Sequence, residues 1–116
     1  MSLVIEKEIT ELNTGELVEL AQQGDRDAFS ELVVRFENSV YAIALRRLGN
    51  HAEAEELRQE VFVLVYERLH QLREPERFAG WLRSIVVRRS INRITRRHNV
   101  VSGDTGVLEA TADESI

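Results

Sequence analysis

The sequence contains no cysteine, one proline and one lysine among its 116 residues. Without cysteine, the chain has neither a disulfide framework nor a thiolate metal site. No uninterrupted apolar run approaches the roughly 20 residues that a membrane-spanning helix needs. The N-terminal residues MSLVIEKEITELN also lack the basic start and apolar stretch of a secretory signal. We therefore expect a soluble protein of the cytoplasm.

What remains is a composition typical of one globular domain, with 43% hydrophobic and 30% charged residues. Apolar residues recur at steps of three and four, which predicts helices throughout. Thr14, Asp25 and Asn50 are the predicted helix caps, and Gly24 and Gly49 the predicted left-handed stops. The predicted helices run from Gly15 to Gln23, from Asp25 to about Leu48, from Asn50 to about Leu72, and from about Glu76 to Arg97.

The fold class that follows is all-α, a compact bundle of three long helices plus a short N-terminal helix. Pro75 separates the third predicted helix from the fourth, because proline removes an amide donor and clashes with the preceding turn. The bundle is expected over residues 1–98. Residues 99–116 contain four acidic residues and no apolar period, which predicts an acidic flexible linker or tail.

The third predicted helix contains VFVLVY, six consecutive apolar residues from Val61 to Tyr66. Six in a row cover every side of a helix, so this segment either lies at the centre of the bundle or presents an apolar patch to a partner. Few basic residues offset the glutamates of this helix, which favours docking onto a basic partner. These glutamates recur at steps of three, four and seven, and they are Glu53, Glu56, Glu60 and Glu67.

The fourth predicted helix concentrates the positive charge. Residues 77–99 hold seven Arg and no acidic residue, although the whole chain has a formal net charge of −5. The row Phe78, Leu82 and Ile85 continues at the same spacing as arginines, so one ridge changes from apolar to cationic. The pattern predicts a footprint for a nucleic-acid backbone. The alternative is a surface helix with ion pairs to the acidic helices. Trp81 either stacks on a base or fills the core.

The sequence offers little for catalysis or metal binding. Glu67 and His70 match the Glu-x-x-His spacing of di-iron helical bundles, but that chemistry needs a second such motif and two further carboxylates. The chain also contains no Ser-His-Asp or Cys-His arrangement and no glycine-rich phosphate loop. We expect a binding protein with no cofactor and no metal, and not an enzyme.

Three segments between Thr14 and His98, in order and at the usual spacing, resemble the promoter-melting domain of bacterial sigma factors of the extracytoplasmic-function group. The first, GDRDAFSELVVRFENSVYAIALRRLGN, is similar to the first helices of that domain. The second, AEAEELRQEVFVLVYERL, resembles the signature that binds the coiled coil of the largest RNA polymerase subunit. The third, FAGWLRSIVVRRSINRITRR, is similar to the helix that engages the minus-ten promoter element.

The resemblance implies a transcription initiation factor domain that docks on RNA polymerase core and recognises and helps melt the minus-ten element. Its implied partners are the polymerase, the non-template strand of promoter DNA and an anti-sigma factor. The resemblance implies no binding to a membrane. The arginines would then be unpaired because their partner is DNA. By matching position, the implied polymerase contacts are Glu56, Gln59, Glu60 and Phe62. The implied DNA contacts are Trp81, Arg88, Arg89, Asn92, Arg93, Arg96 and Arg97.

Two other functions fit the same charge pattern. One is a helical DNA- or RNA-binding regulator that is not associated with polymerase. The other is a membrane-surface protein that uses the arginine helix as a basic amphipathic anchor. Only three apolar residues lie opposite the arginines, which disfavours the membrane alternative. Binding to polymerase core separates the sigma-factor hypothesis from both.

Overall fold

The computed structural model describes residues 8–102, with the surroundings of side chains given as far as His98. All the regular structure in this part of the chain is helical, which confirms the predicted all-α class. Three single turns of 3-10 helix, at Ile9–Glu11, Leu69–Gln71 and Pro75–Arg77, supplement the four α-helices. The α-helices are α1 (Thr14–Gln22), α2 (Arg26–Leu48), α3 (His51–Arg68) and α4 (Phe78–Ser102).

Side-chain caps fix the beginnings of the first three helices. Oδ1 of Asp25 accepts a hydrogen bond from the amide of Ala28 at 3.0 Å, and Oδ1 of Asn50 accepts from the amide of Glu53 at 2.8 Å. Both caps were predicted. α2 ends where Gly49 adopts a φ of 71°, a left-handed conformation that glycine tolerates.

The predicted cap of α1 at Thr14 is wrong. The cap is Asn13, whose Oδ1 accepts from the amide of Glu16 at 2.8 Å, while Oε1 of Glu16 accepts from the amide of Asn13 at 2.9 Å. This reciprocal pair satisfies two amide donors at once, so Thr14 becomes the first helical residue. The predicted stop after α1 is confirmed, since Gly24 has a φ of 101°.

The last two helix boundaries differ from the predicted ones. α3 ends at Arg68 and not at Leu72, because one turn of 3-10 helix follows it. α4 begins at Phe78, after a turn opened by Pro75, and continues to Ser102, past the predicted end at Arg97. Four residues of the predicted tail, 99–102, are therefore helical. The rest of that tail lies outside the described residues.

α2 contacts each of the other three helices and supplies one wall of the core. Its apolar residues at steps of three and four pack inward: Leu32, Val40 and Ala44 are buried, and Phe29, Val33, Phe36 and Ile43 are partly buried against the core. Phe78 is fully buried at the start of α4 and meets the ring of Phe36 edge-to-face at 5.2 Å between centroids. Burying a side chain of this size stabilises the fold by about 1.5–3 kcal/mol. These contacts hold the first half of α4 against α2.

A glutamine joins α1 to the segment after α3. Nε2 of Gln22 donates to the carbonyl of Leu69 at 3.0 Å and to that of Leu72 at 2.9 Å. The carbonyl of Leu69 also accepts from the amide of Leu72 at 3.1 Å, so Gln22 gives it a second donor and satisfies the carbonyl of Leu72 beyond the helix end. Within the described residues, no helix is both long enough and apolar enough to cross a bilayer.

Candidate nucleic-acid and protein-docking surfaces

The side of α3 that faces α4 is lined by glutamates, and the facing side of α4 by arginines. Oε2 of Glu60 accepts from Nη2 of Arg89 at 2.5 Å and from its Nε at 3.0 Å. Oε1 of Glu60 accepts from Nη2 of Arg93 at 3.2 Å, and Nη1 of Arg93 donates to Oε1 of Glu56 at 3.2 Å. We call the array the ion-pair ladder. Its members are Glu53, Glu56, Glu60, Arg89, Arg93 and Arg97.

The ladder ends at Arg97, whose Nη2 donates to Oε1 of Glu53 at 2.5 Å. As the residue numbers rise along α4 they fall along α3, so the two helices run antiparallel. Steps of three and four residues on each helix place its members in line on one face. The acidic stripe and the arginine stripe of the sequence therefore form a single interface.

The ladder shifts the pKa values of two of its members. Burial disfavours the charge on Glu60 and would raise its pKa, but the hydrogen bonds and charges of Arg89 and Arg93 outweigh burial and lower it. Burial likewise works to lower the pKa of Arg93, whereas its bonds to Glu56 and Glu60 raise it overall. Glu60 is therefore ionised at neutral pH in spite of its partial burial.

These contacts correct the expectation that the arginines have no acidic partner. The three arginines of the ladder are paired, and the same contacts neutralise three of the four glutamates of the acidic stripe. The alternative weighed from the sequence, a surface helix with ion pairs to an acidic helix, describes this part of α4. Glu67, the fourth member of the stripe, is exposed and has no ion pair in the described part of the chain.

The other predicted DNA contacts on α4 fall into two groups. Arg88 is partly buried and Arg96 is exposed, and neither forms an ion pair within residues 8–98. Asn92, in contrast, is only 5% exposed. Its side chain does not lie on the surface with the arginines, so the predicted contact with DNA would require it to leave this position.

Trp81 lies at the edge of the core. Its side chain is partly buried against the buried residues, and its ring lies 5.9 Å from that of Phe78 with a tilt of 48°. The carbonyl of Trp81 accepts a hydrogen bond from Oγ of Ser84 at 2.8 Å. One of the two roles weighed from the sequence, packing against the core, is therefore observed. Stacking on a base stays a prediction.

Another side of α3 borders a groove shared with α2. VFVLVY is divided between two environments: Val61 and Val65 are fully buried, whereas Val63 is 56% and Tyr66 is 65% exposed. Val61 and Val65 therefore lie in the core, as one interpretation expected, and Val63 and Tyr66 form an exposed apolar patch, whose contact with a partner stays a prediction. The rings of Phe29 and Tyr66 meet edge-to-face at 5.2 Å. The α2–α3 groove has a volume of about 420 Å³ and is lined by Phe29, Val33, Arg58, Gln59, Phe62, Val63, Tyr66 and Glu67.

The four residues predicted to contact polymerase are divided between the two sides of α3. Gln59 and Phe62 line the groove, whereas Glu56 and Glu60 belong to the ladder. Sequence reasoning missed the contribution of α2 to the groove. The apolar residues of α2 recur at helical spacing, which could have indicated this contribution. The same spacing is expected, however, when all of those residues are completely buried.

The rim of the groove is held by ion pairs. Nη1 of Arg58 donates to Oε1 of Glu37 on α2 at 3.0 Å, and the same guanidinium contacts Glu55 on α3. The hydrogen bond from Arg58 lowers the pKa of Glu55. Nε2 of Gln59 also donates to Oε2 of Glu55, at 3.3 Å. This network joins the side chains of α2 and α3 along one edge of the groove.

The Glu67–His70 spacing weighed as a metal motif does not form part of a larger cluster. Within residues 8–102, no three His, Cys, Asp or Glu side chains are grouped so that they could hold a metal ion. Glu67 and His70 therefore lack, within those residues, the further ligands that a metal site would need.

Comparison with known proteins agrees with this geometry. The ECF RNA polymerase sigma factor SigW of Bacillus subtilis (strain 168) is 30% identical over 97 residues, 84% of this chain and 47% of that protein. The RNA polymerase sigma-H factor of Pseudomonas aeruginosa is 29% identical over 89 residues, 77% and 46% of the two chains. The ECF RNA polymerase sigma-E factor of Escherichia coli (strain K12) is 32% identical over 100 residues, 85% and 52%.

The chain thus spans about half the length of these curated relatives. The resemblance to extracytoplasmic-function sigma factors, stated from the three sequence segments, is confirmed by these matches. Residues 32–100, which include most of α2 and the whole of α3, match the family described as Sigma-70 region 2. The chain belongs to the Sigma-70 region 2 family.

Proposed function

We propose that this chain is the part of a transcription initiation factor that docks on core RNA polymerase and recognises and helps melt the minus-ten promoter element. It would act in the cytoplasm and would itself catalyse no reaction. The observation that carries the proposal is the placement of an apolar groove and an arginine helix on two different sides of α3. One surface suits a protein and the other a polyanion, so the same helix would bring polymerase and promoter together.

The groove supplies the protein-docking surface. Its walls are apolar, with Val63 and Tyr66 exposed, while Gln59 and Arg58 at its edge offer hydrogen-bond donors. An apolar groove bounded by polar groups fits the apolar face of a partner helix. The names of the relatives connect them to RNA polymerase, and a coiled coil of the polymerase core is the partner that we assign to this groove.

α4 supplies the nucleic-acid surface. Arg96 is exposed at its end and Arg88 is partly exposed, and Trp81 lies at the edge of the core toward its beginning. Arginine suits bidentate phosphate contacts, and an aromatic ring can stack on an unpaired base for about 1–3 kcal/mol. A single strand of the minus-ten element would therefore run along α4, with a splayed base at Trp81.

Retention on immobilised core polymerase tests the docking half. Val63→Asp places a charge in the groove and should reduce retention at least about tenfold, since a charge at an apolar contact is desolvated on binding. Val34→Asp is the matched control, because Val34 is 61% exposed on α2 and does not line the groove. It should bind as the wild type does. Equal retention of both variants would remove the groove from the proposal.

Binding to single strands tests the other half. A strand with a minus-ten-like sequence should bind more tightly than a scrambled strand, and Trp81→Phe should keep the domain folded while reducing that difference. Phenylalanine retains most of the packing against Phe78 but offers a smaller stacking surface. Unchanged discrimination by a folded Trp81→Phe variant would confine Trp81 to the core.

A further inference from the structure

We infer that the three glutamates of the ion-pair ladder act as an internal mimic of nucleic-acid phosphates, and hold three arginines of α4 until a phosphate backbone displaces them. The inference rests on the proposed function only in taking a single strand as the ligand of α4. It assigns to Glu53, Glu56 and Glu60 an autoinhibitory role that differs from direct contact with polymerase.

The bonds within the ladder are of the kind that arginine makes with phosphate. Arg93 uses both of its terminal nitrogens, Nη1 toward Glu56 and Nη2 toward Glu60, at 3.2 Å each. Arg89 directs Nε and Nη2 at one carboxylate oxygen of Glu60. Carboxylate and phosphate compete for the same planar set of donors. A strand that takes the full set of donors of one of these arginines must therefore break an existing pair.

The pairs differ in how readily they can be broken. At the inner end, the side chains of Arg89 and Glu60 are 18% and 30% exposed. At the outer end, those of Arg97 and Glu53 are 46% and 36% exposed. Water and salt weaken exposed pairs more than buried ones. The pair at Arg97 should therefore exchange first and the pair at Arg89 last.

Arg96 gives an incoming strand its first contact. It is exposed and lines a shallow pocket of about 250 Å³ with Glu53, Glu60, Arg93 and Arg97. A phosphate bound at Arg96 would lie beside the outer end of the ladder, where the glutamates repel it and the arginines attract it. Binding would then proceed inward along α4 as each arginine exchanges a carboxylate for a phosphate.

The test compares two triple variants of the full chain, each with three glutamates replaced by glutamine. Glu53→Gln, Glu56→Gln and Glu60→Gln together remove the charges of the ladder but retain the shape of the side chains. Glu8→Gln, Glu19→Gln and Glu76→Gln together remove the same number of charges, at exposed positions that have no ion pair in the described chain. The probe is a labelled 20-nucleotide strand of thymidylate, read by fluorescence anisotropy at low salt.

The ladder variant should bind the strand about tenfold more tightly than the wild type, since each such pair shifts an equilibrium by roughly two- to threefold. The control variant should change affinity less than about twofold. The ladder variant should also show the steeper dependence on salt, because salt weakens the internal pairs of the wild type as well as its contacts with phosphate. A ladder variant that binds no more tightly than the control would overturn the inference.

Circular dichroism checks that each variant keeps its helical content. Should the triple variant lose helix, the double variant Glu53→Gln, Glu56→Gln retains the bridge from Glu60 to both inner arginines and should bind about fourfold more tightly than the wild type. Absence of strand binding by every folded variant would overturn the inference as well. Tighter strand binding by a ladder variant, together with no retention of the wild type on polymerase, would contradict the proposed function and leave the inference standing.

Discussion

The two sides of α3 differ in whether their surface side chains already have a partner within the domain. Toward α4, the glutamates are already paired, and the interface is closed in the isolated domain. Toward the groove, Val63 and Tyr66 remain in contact with solvent. Gln59 and Glu60 are neighbours in the sequence, yet they belong to different sides because successive residues of a helix are about 100° apart. A signature that is continuous in sequence therefore spans an internal contact and an open surface.

The largest effect is expected on the third, inward side of α3. Leu57 is fully buried there in the core, so Leu57→Ala should lower the free energy of unfolding by about 2–5 kcal/mol through lost burial and the cavity left behind. Urea denaturation measures this. Val63→Ala, on the groove side of the same helix, should change it by less than about 0.5 kcal/mol. Similar losses for both would mean that the groove is part of the core.

Charge reversal at the ladder separates the two glutamates that the sequence treats alike. Glu60→Lys places a third cation beside Arg89 and Arg93 and should lower the free energy of unfolding by about 1–2 kcal/mol, between the values for exposed pairs and for charged hydrogen bonds. Glu56→Lys should cost less, because the side chain of Glu56 is 66% exposed. Thermal and urea unfolding compare the two. Equal losses would show that Glu60 is not the central member of the ladder.

Acid should weaken the closed side of α3 in particular. The pKa of Glu60 in the folded chain lies below its ordinary value of 4.5, so the folded state binds fewer protons there than the unfolded state. The stability contributed by Glu60 is therefore fully present above that value and is lost as the pH falls through the folded pKa. Melting temperatures of Glu60→Gln should fall less steeply below about pH 4.5 than those of the wild type. Parallel curves would contradict this assignment.

The smallest effect is expected at the exposed end of the ladder. Glu53→Gln removes only the pair with Arg97, and should lower the free energy of unfolding by about 0.2–0.5 kcal/mol at low salt. Near 1 M salt the difference should vanish, because the Debye length is then only about 3 Å. The neutral amide introduced by this substitution no longer attracts Arg97 by charge, but the cap at Asn50 is unaffected because it uses the backbone amide of position 53. A difference that persists at high salt would indicate packing rather than charge.

Helix positions and both charged stripes could be predicted from the sequence, because periodicity and caps are local properties. The caps at Asp25 and Asn50 illustrate this. The pairing of the stripes could not, because it depends on which faces of α3 and α4 meet and in which direction the helices run. The same limit applies to Asn92, whose burial follows from the packing of α4 and not from the polar character of the residue.

The groove shows the second limit. Phe29 and Val33 follow the helical spacing of the apolar residues of α2. That spacing shows roughly which face of the helix points inward, but not where the buried face ends. These two residues lie at the edge of the buried face. Whether such residues are covered depends on the angle at which α2 crosses α3. The family match, in contrast, rested on residues read directly from the chain, such as the run from Glu56 to Phe62.

The two hydrogen bonds of Gln22 have a consequence for the order of folding. They join residues 47 and 50 positions apart in the chain, so they can form only after α2 and α3 have brought the end of α3 back to α1. Closing so long a segment costs entropy that local helix contacts do not incur. The bonds of Gln22 should therefore form later in folding than the contacts between α1 and its chain neighbour α2, which bury Leu17 and Val18 completely. Their loss in a local opening would leave the carbonyl of Leu72 to water, whereas the carbonyl of Leu69 would keep the amide of Leu72 as a partner.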